Sequence, residues 1–236
     1  MKIVIVAAMD KEVEYLKNVM NNDFNGFKVK KIHHYEFYIG KIYNNEIILT
    51  VSGIGKVQSG MLMSIIYDNF SNIDLVINNG ISGGVKGNTR PGTVVIGCKY
   101  SFADVNITID EGIKYGQMFG LPWLYYGDNK SIDLLKKEDI DGVIFGDILT
   151  GDKFYTDKEE TDSLINNYFS DLKVCAFDME STAFAMACYI YKTPYLAIRC
   201  ISDIIGATNQ TDDYYDSAKL ASEIGNKVLL RLIKLL

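Results

Sequence analysis

Residues Met1 to Leu16 read "MKIVIVAAMDKEVEYL": a short apolar run, Ile3 to Ala8, followed at once by the charged residues Asp10, Lys11 and Glu12. Lys2 ahead of the apolar run imitates a signal peptide, but the run is too short and the charges follow too closely. It reads instead as a buried strand, Lys2 to Ala7, feeding a helix over Asp10 to Met20. The same alternation recurs down the chain. Val- and Ile-rich runs predict strands at Val29–Tyr38, Glu46–Ser52, Leu75–Asn78, Thr93–Cys98, Gly142–Phe145, Val174–Phe177 and Tyr195–Ile201. Helices are expected over Lys56–Asp68, Ser131–Lys137, Lys158–Asn167, Met179–Tyr191 and Asp213–Leu236, the last with Leu220, Ile224 and Val228 at a helical step. Such alternation implies one α/β domain, residues 1–236, with a largely parallel sheet buried by helices on both faces.

Composition narrows the function. The apolar fraction of 48% speaks against disorder, and the net charge of -6 speaks against a nucleic-acid partner, which needs a basic face. No run reaches the roughly 18 apolar residues of a membrane span. Cys98, Cys175, Cys188 and Cys200 lack CxxC spacing and lie in apolar surroundings, as in a reduced, cytoplasmic chain. The two histidines, His33 and His34, are neighbours; on a strand they would point to opposite faces, so a zinc site or a Ser-His triad is poorly supplied. No metal is expected.

Ligands of such sheets bind beyond the carboxyl ends of strands. Four ends carry Gly or acid where a plain connection needs neither: "AAMDKEVEYL", "SGIGKV", "NNGISGGVKG" and "RCISDIIGA". The "SGIGK" and "GISGG" stretches read as tight turns that let backbone N–H groups approach a ligand, and neither fits a phosphate-binding glycine motif. Arg199 and Asp203 lie four residues apart on one strand, about 13 Å, too far for a direct ion pair without a bend. In "VCAFDMESTAFAMACYIY", residues 174–191, Asp178 suits a helix cap, whereas Glu180 does not. Glu12, Glu180 and Asp203 are thus carboxylates on separate strand ends of one sheet. With no His or Cys metal ligands beside them, they point to acid–base chemistry on a neutral polar substrate.

In order and wording, "MKIVIVAAMDKEVEYL", "VSGIGKVQSG", "VINNGISGGVKGNTRPGTVVIG", "YGQMFGLP", "GDKF", "FDMESTAFA" and "RCISD" resemble the 5'-methylthioadenosine/S-adenosylhomocysteine nucleosidases of the purine nucleoside phosphorylase and uridine phosphorylase superfamily. The resemblance implies a three-layer α/β/α domain with a twisted, mixed central sheet. It implies hydrolysis of the N-glycosidic bond of 5'-methylthioadenosine and S-adenosylhomocysteine, with 5'-deoxyadenosine as a further substrate. It also implies a homodimer with no cofactor and no metal. Carried over by position, Glu12 would activate water and Asp203 would protonate adenine N7. Glu180 would grip the ribose hydroxyls, Met179 would pack on the sugar, and Arg199 would hold the water and Glu12. Phe154 would stack on adenine with Lys153 beside it, and Met9 and Ile54 would line the ribose and 5'-thio pocket. Phe119 would complete that pocket from the second subunit. Ser82 and Ser202 would also contact substrate, although Ile81 stands where the family usually has Ser, and the segment 103–117 is longer than usual.

Three rivals define the tests. A phosphorylase of this superfamily needs a cation for phosphate, usually an Arg shortly before the Gly; here the stretch is Ile77-Asn78-Asn79, with Arg90 the nearest candidate downstream. An aminodeoxyfutalosine nucleosidase would use the same residues. A nucleoside-binding module without catalysis would not require Glu12, Glu180 and Asp203 together.

Overall fold

The computed structural model describes residues 1–109 and 111–236; Asp110, within the long segment 103–117, lies outside the described residues. Strand β1 (Lys2–Ala7) leads into helix α1 (Asp10–Asp23), and then come β2 (Phe27–Ile32), β3 (Tyr35–Ile42), β4 (Asn45–Val51) and α2 (Lys56–Asn69). Next are β5 (Leu75–Gly84), β6 (Val94–Phe102), β7 (Tyr125–Tyr126), α3 (Asn129–Glu138), β8 (Val143–Thr150) and α4 (Lys158–Tyr168). The chain ends with β9 (Val174–Asp178), α5 (Ser181–Tyr191), β10 (Tyr195–Ile204) and α6 (Gln210–Leu235).

The strands form one mixed sheet in the order β10-β6-β8-β9-β5-β1-β4-β3-β2, with β7 beside β6. β10 also pairs with β5, so β5, β9, β8, β6 and β10 close a ring, and β1, β4, β3 and β2 extend from it as a wing. β1 lies parallel to both β4 and β5, while β10–β6 and β5–β9 are antiparallel. Successive residues of β1 serve opposite faces. Ile3 and Ile5 pack with Leu16, Met20, Leu229 and Leu232 of α1 and α6. Val4 and Val6 pack with Leu62, Ile66, Phe184 and Cys188 of α2 and α5. A strand buried on both faces needs no polar alternation, which is why its sequence is continuously apolar.

Two expectations are corrected. Val29–Tyr38 is not one strand: β2 and β3 form an antiparallel hairpin that closes at Ile32↔Tyr35 around His33 and His34. His33 adopts φ 54, the left-handed conformation that a two-residue hairpin turn demands. "GISGG" is not a turn either, because β5 continues through it to Gly84. Gly80 has no side chain because its space is taken: a Cβ there would lie 2.4 Å from Arg199 Nη1 and 2.7 Å from Glu12 Oε1. "SGIGK" does turn, with Gly53 at φ 85 and Gly55 at φ 99.

Candidate active site

The carboxyl ends of β1, β5, β9 and β10 surround a concave cleft, the form a small-molecule site usually takes. Its walls include every sequence-predicted site residue except Arg199 and Phe119: Met9, Glu12, Ile54, Ser82, Lys153, Phe154, Met179, Glu180, Ser202 and Asp203.

Glu12 is the third residue of α1, and its side chain folds back over the start of its own helix. Oε2 accepts hydrogen bonds from the N–H groups of Ala8 (3.0 Å) and Met9 (2.9 Å). Oε1 accepts one from Ile81 N–H (3.0 Å), tying α1 to β5. The N-terminal N–H groups of a helix lack internal partners, so a carboxylate at this position satisfies them while aimed inward. Burial pushes the Glu12 pKa up; the Arg199 charge and the three N–H donors hold it down against that push.

Arg199 lies behind the cleft, fully buried. Its Nε lies 2.8 Å from Asp178 Oδ2 and its Nη2 3.3 Å from Glu180 Oε2. It therefore pairs with Asp178 and Glu180 rather than with Asp203. Asp178 is not the N-cap expected of it, a position that falls two residues further on, but it still serves the helix start: Oδ1 accepts from the N–H groups of Glu180 (3.3 Å) and Ser181 (3.2 Å). It also shares Arg199 and reaches the cleft wall. Glu180 is the N-cap residue of α5, and its side chain turns away from that helix. Its Oε1 instead accepts from Gly55 N–H (2.9 Å) in the "SGIGK" turn. Burial raises the Glu180 pKa to about 7, since Arg199 offsets only part of the desolvation and Asp178 adds repulsion.

Asp203 lines the same cleft from the end of β10. The β10–β5 register slips between Ile201 and Asp203, and this irregularity sets the direction of the strand end. Asp203 Oδ1 accepts from Ser202 Oγ (2.6 Å) and Oδ2 accepts from Gln210 Nε2 (2.8 Å). Burial raises its pKa, and those two hydrogen bonds counteract the rise.

The remaining walls are largely apolar. Phe154 is 44% exposed and meets Tyr214 edge-on at 5.5 Å, while Tyr155 leans on Phe177 at 4.8 Å. Tyr214 Oη approaches Met9 Sδ at 3.8 Å. Ser82 Oγ is buried at the cleft wall without a protein partner, an arrangement that leaves a hydroxyl for a ligand. Phe119, 76% exposed, lies outside this cleft. Sequence reasoning missed Tyr155, Phe177, Ile205 and Tyr214. Only Tyr214 left a signal, as half of an aromatic pair among the acids of "DDYYD". Among the described residues no three His, Cys, Asp or Glu side chains group as metal ligands would.

Buried carboxylates from three elements lining one cleft, an aromatic flank and a free hydroxyl describe an enzyme cleft for a small, ring-bearing polar substrate. The chain belongs to the phosphorylase superfamily, whose family model matches residues 2–234. It is 35% identical, over 99% of both chains, to a 5'-methylthioadenosine/S-adenosylhomocysteine nucleosidase of Bacillus subtilis (strain 168). It is 33% identical to the protein of that name in Listeria innocua, covering 99% of this chain and 100% of that one. A solved structure of the nucleosidase from S. pneumoniae with the transition-state inhibitor MT-ImmA superimposes with a TM-score of 0.90, at 30% identity over 99% of both chains. That from Colwellia psychrerythraea 34H, in complex with adenine, gives 0.89 at 28% identity, covering 100% of this chain and 96% of that one.

Proposed function

We propose that this chain hydrolyses the N-glycosidic bond of 5'-methylthioadenosine and S-adenosylhomocysteine, and of 5'-deoxyadenosine, releasing adenine and the 5'-substituted ribose. The observation that carries the reading is that Glu12 of α1, Glu180 at the start of α5 and Asp203 of β10 line one cleft with an aromatic flank.

The chemistry follows from charge flow. Water attacks the anomeric carbon as the bond to adenine N9 breaks, and the bonding electrons pass to the purine. Glu12 takes the proton of the attacking water, and its N–H donors and Arg199 favour the ionised form a base needs. Asp203 gives a proton to adenine N7, and its raised pKa supports that role. Glu180 accepts hydrogen bonds from the ribose hydroxyls, with Met179 against the sugar and Ser82 Oγ available nearby. Phe154 stacks on the base. Each positioned acid or base is worth typically about 10²–10⁴-fold in rate.

Phosphorolysis has little support. Lys153 is the one cation among the described cleft-lining residues, and its Nζ is paired with Glu160 at 2.7 Å. Arg199 is committed to carboxylates and Arg90 is exposed outside the cleft. A bound phosphate would lack the charge-assisted donors it needs. Aminodeoxyfutalosine presents the same adenine and glycosidic bond and is the alternative substrate.

We assign the working form to a homodimer in which Phe119 of one subunit completes the 5' end of its neighbour's cleft. The exposure of Phe119 and of Val57 and Met61 on α2 supports this. The free cysteines support a cytoplasmic setting. Among the described residues no helix is long and apolar enough to cross a membrane.

Adenine release from 5'-methylthioadenosine tests the assignment. The expected result is release at a rate independent of added phosphate. Release that requires phosphate, or none from either thio-nucleoside, overturns it.

A further inference from the structure

Gln210 opens α6 and is nearly inaccessible to solvent, yet it is not the N-cap of that helix; Asn209 is. Its amide instead points back toward the sheet and uses both ends. Nε2 donates to Asp203 Oδ2 (2.8 Å) and to the backbone carbonyl of Tyr155 (2.8 Å). Oε1 accepts from Gly206 N–H (2.9 Å). Gly206 stands at φ 76, a conformation that suits glycine and sets the turn between β10 and α6. One side chain therefore joins the end of β10, the Phe154–Tyr155 segment and the start of the helix that carries Tyr214.

We infer that Gln210 is a positioning residue that fixes the aim and the charge state of the Asp203 carboxylate. With Ser202 Oγ on Oδ1 and Gln210 Nε2 on Oδ2, each oxygen has one acceptor direction occupied and the other left for the cleft. Both donors favour the ionised form and oppose the effect of burial. The other groups facing Asp203 do not substitute for them. Asp213 and Tyr214 of α6 bring no cation, and Asp213 pushes the pKa further up. Among the other residues lining the cleft, Glu12 and Glu180 are acidic, and Lys153 is turned to Glu160. Gln210 is thus the donor from outside β10 that keeps Asp203 from holding its proton too tightly to give it up.

This inference rests on the nucleosidase reading only for its kinetic consequence. The charge state is measured separately, by a carbon-13 NMR titration of aspartate-labelled protein, with Asp203→Asn assigning the resonance. Gln210→Leu keeps the shape and removes the donor, and its Asp203 midpoint should rise by about 1 pH unit. Gln210→Glu adds a like charge and should raise the midpoint further. In the hydrolytic reaction the acid must be protonated. The alkaline limb of kcat/KM should therefore move upward with the NMR midpoint, while the plateau falls about tenfold through lost aim. A residue that only secures the helix start would lower thermal stability and scale the rate equally at every pH. An unchanged midpoint in a folded variant overturns the inference, as does failure of both variants to fold, which would assign Gln210 to holding the helix. Wild-type protein that releases no adenine refutes the nucleosidase reading and leaves the titration to decide this one.

Discussion

Placing a methyl group at Gly80 tests the site's internal geometry without touching a polar side chain. A Cβ there would lie 2.4 Å from Arg199 Nη1 and 2.7 Å from Glu12 Oε1, both inside van der Waals contact. Neither neighbour is free to yield. Glu12 is held by the N–H groups of Ala8, Met9 and Ile81, and Arg199 by Asp178 and Glu180. Overpacking of this kind costs about 1–3 kcal/mol. In a chain of this length that lowers Tm by about 3–10 °C. Displacing Glu12 by a fraction of an ångström should lower kcat/KM for adenine release by about 10²-fold. Gly60, within α2, is the control, because a Cβ there meets nothing within 4 Å. Gly60 shares the α2 face of Val57 and Met61 assigned to the dimer, so Gly60→Ala is the control for stability within the subunit alone, which should rise by about 0.5–1 kcal/mol. Thermal denaturation of both variants and an adenine-release assay on Gly80→Ala decide the matter. Wild-type kcat/KM and Tm in Gly80→Ala would refute the packing of Glu12 against Arg199.

Arg199→Met should destabilise the fold by about 3–5 kcal/mol in urea denaturation, because it leaves Asp178 and Glu180 buried without their partner. The ligand-free protein should lose stability as pH rises. Glu180 binds its proton more tightly when folded, at about 7 against 4.5 unfolded, so its contribution is full below 4.5 and is lost as pH rises through about 7. Glu12 and Asp203 are shifted in the same direction, and Glu180→Gln should flatten the fall of Tm between about pH 5 and 8 without abolishing it. Phe154→Ala should raise KM about tenfold with a smaller change in kcat, since stacking holds ground and transition states alike; an unchanged KM would remove Phe154 from the base subsite.

Local signals were legible and pairwise geometry was not. β1 could be read from Ile3 to Ala7 because a strand buried on both faces has a continuously apolar sequence. Glu12, Glu180 and Asp203 stood out because acids at apolar strand ends need a reason. The hairpin at His33 was hidden, since a left-handed histidine leaves no compositional mark of the kind that Asn-Gly would. Gly80 was taken for a turn because its actual reason, the space filled by Arg199 and Glu12, comes from residues distant in sequence. The carboxylate partners of Arg199 left no local signal for the same reason, as Asp178 and Glu180 reach it from β9 and the start of α5. Gln210 reads as an ordinary polar residue ahead of a helix until its amide is seen on Asp203.

The central claim is that Asp203 supplies the proton that makes adenine leave. Asp203→Asn keeps the shape and can still accept from Gln210, but it has no carboxylic acid proton to transfer. Adenine release from 5'-methylthioadenosine by this variant should fall by about 10²–10⁴-fold relative to wild type, with the thermal transition retained. Equal release by the two proteins would contradict the account.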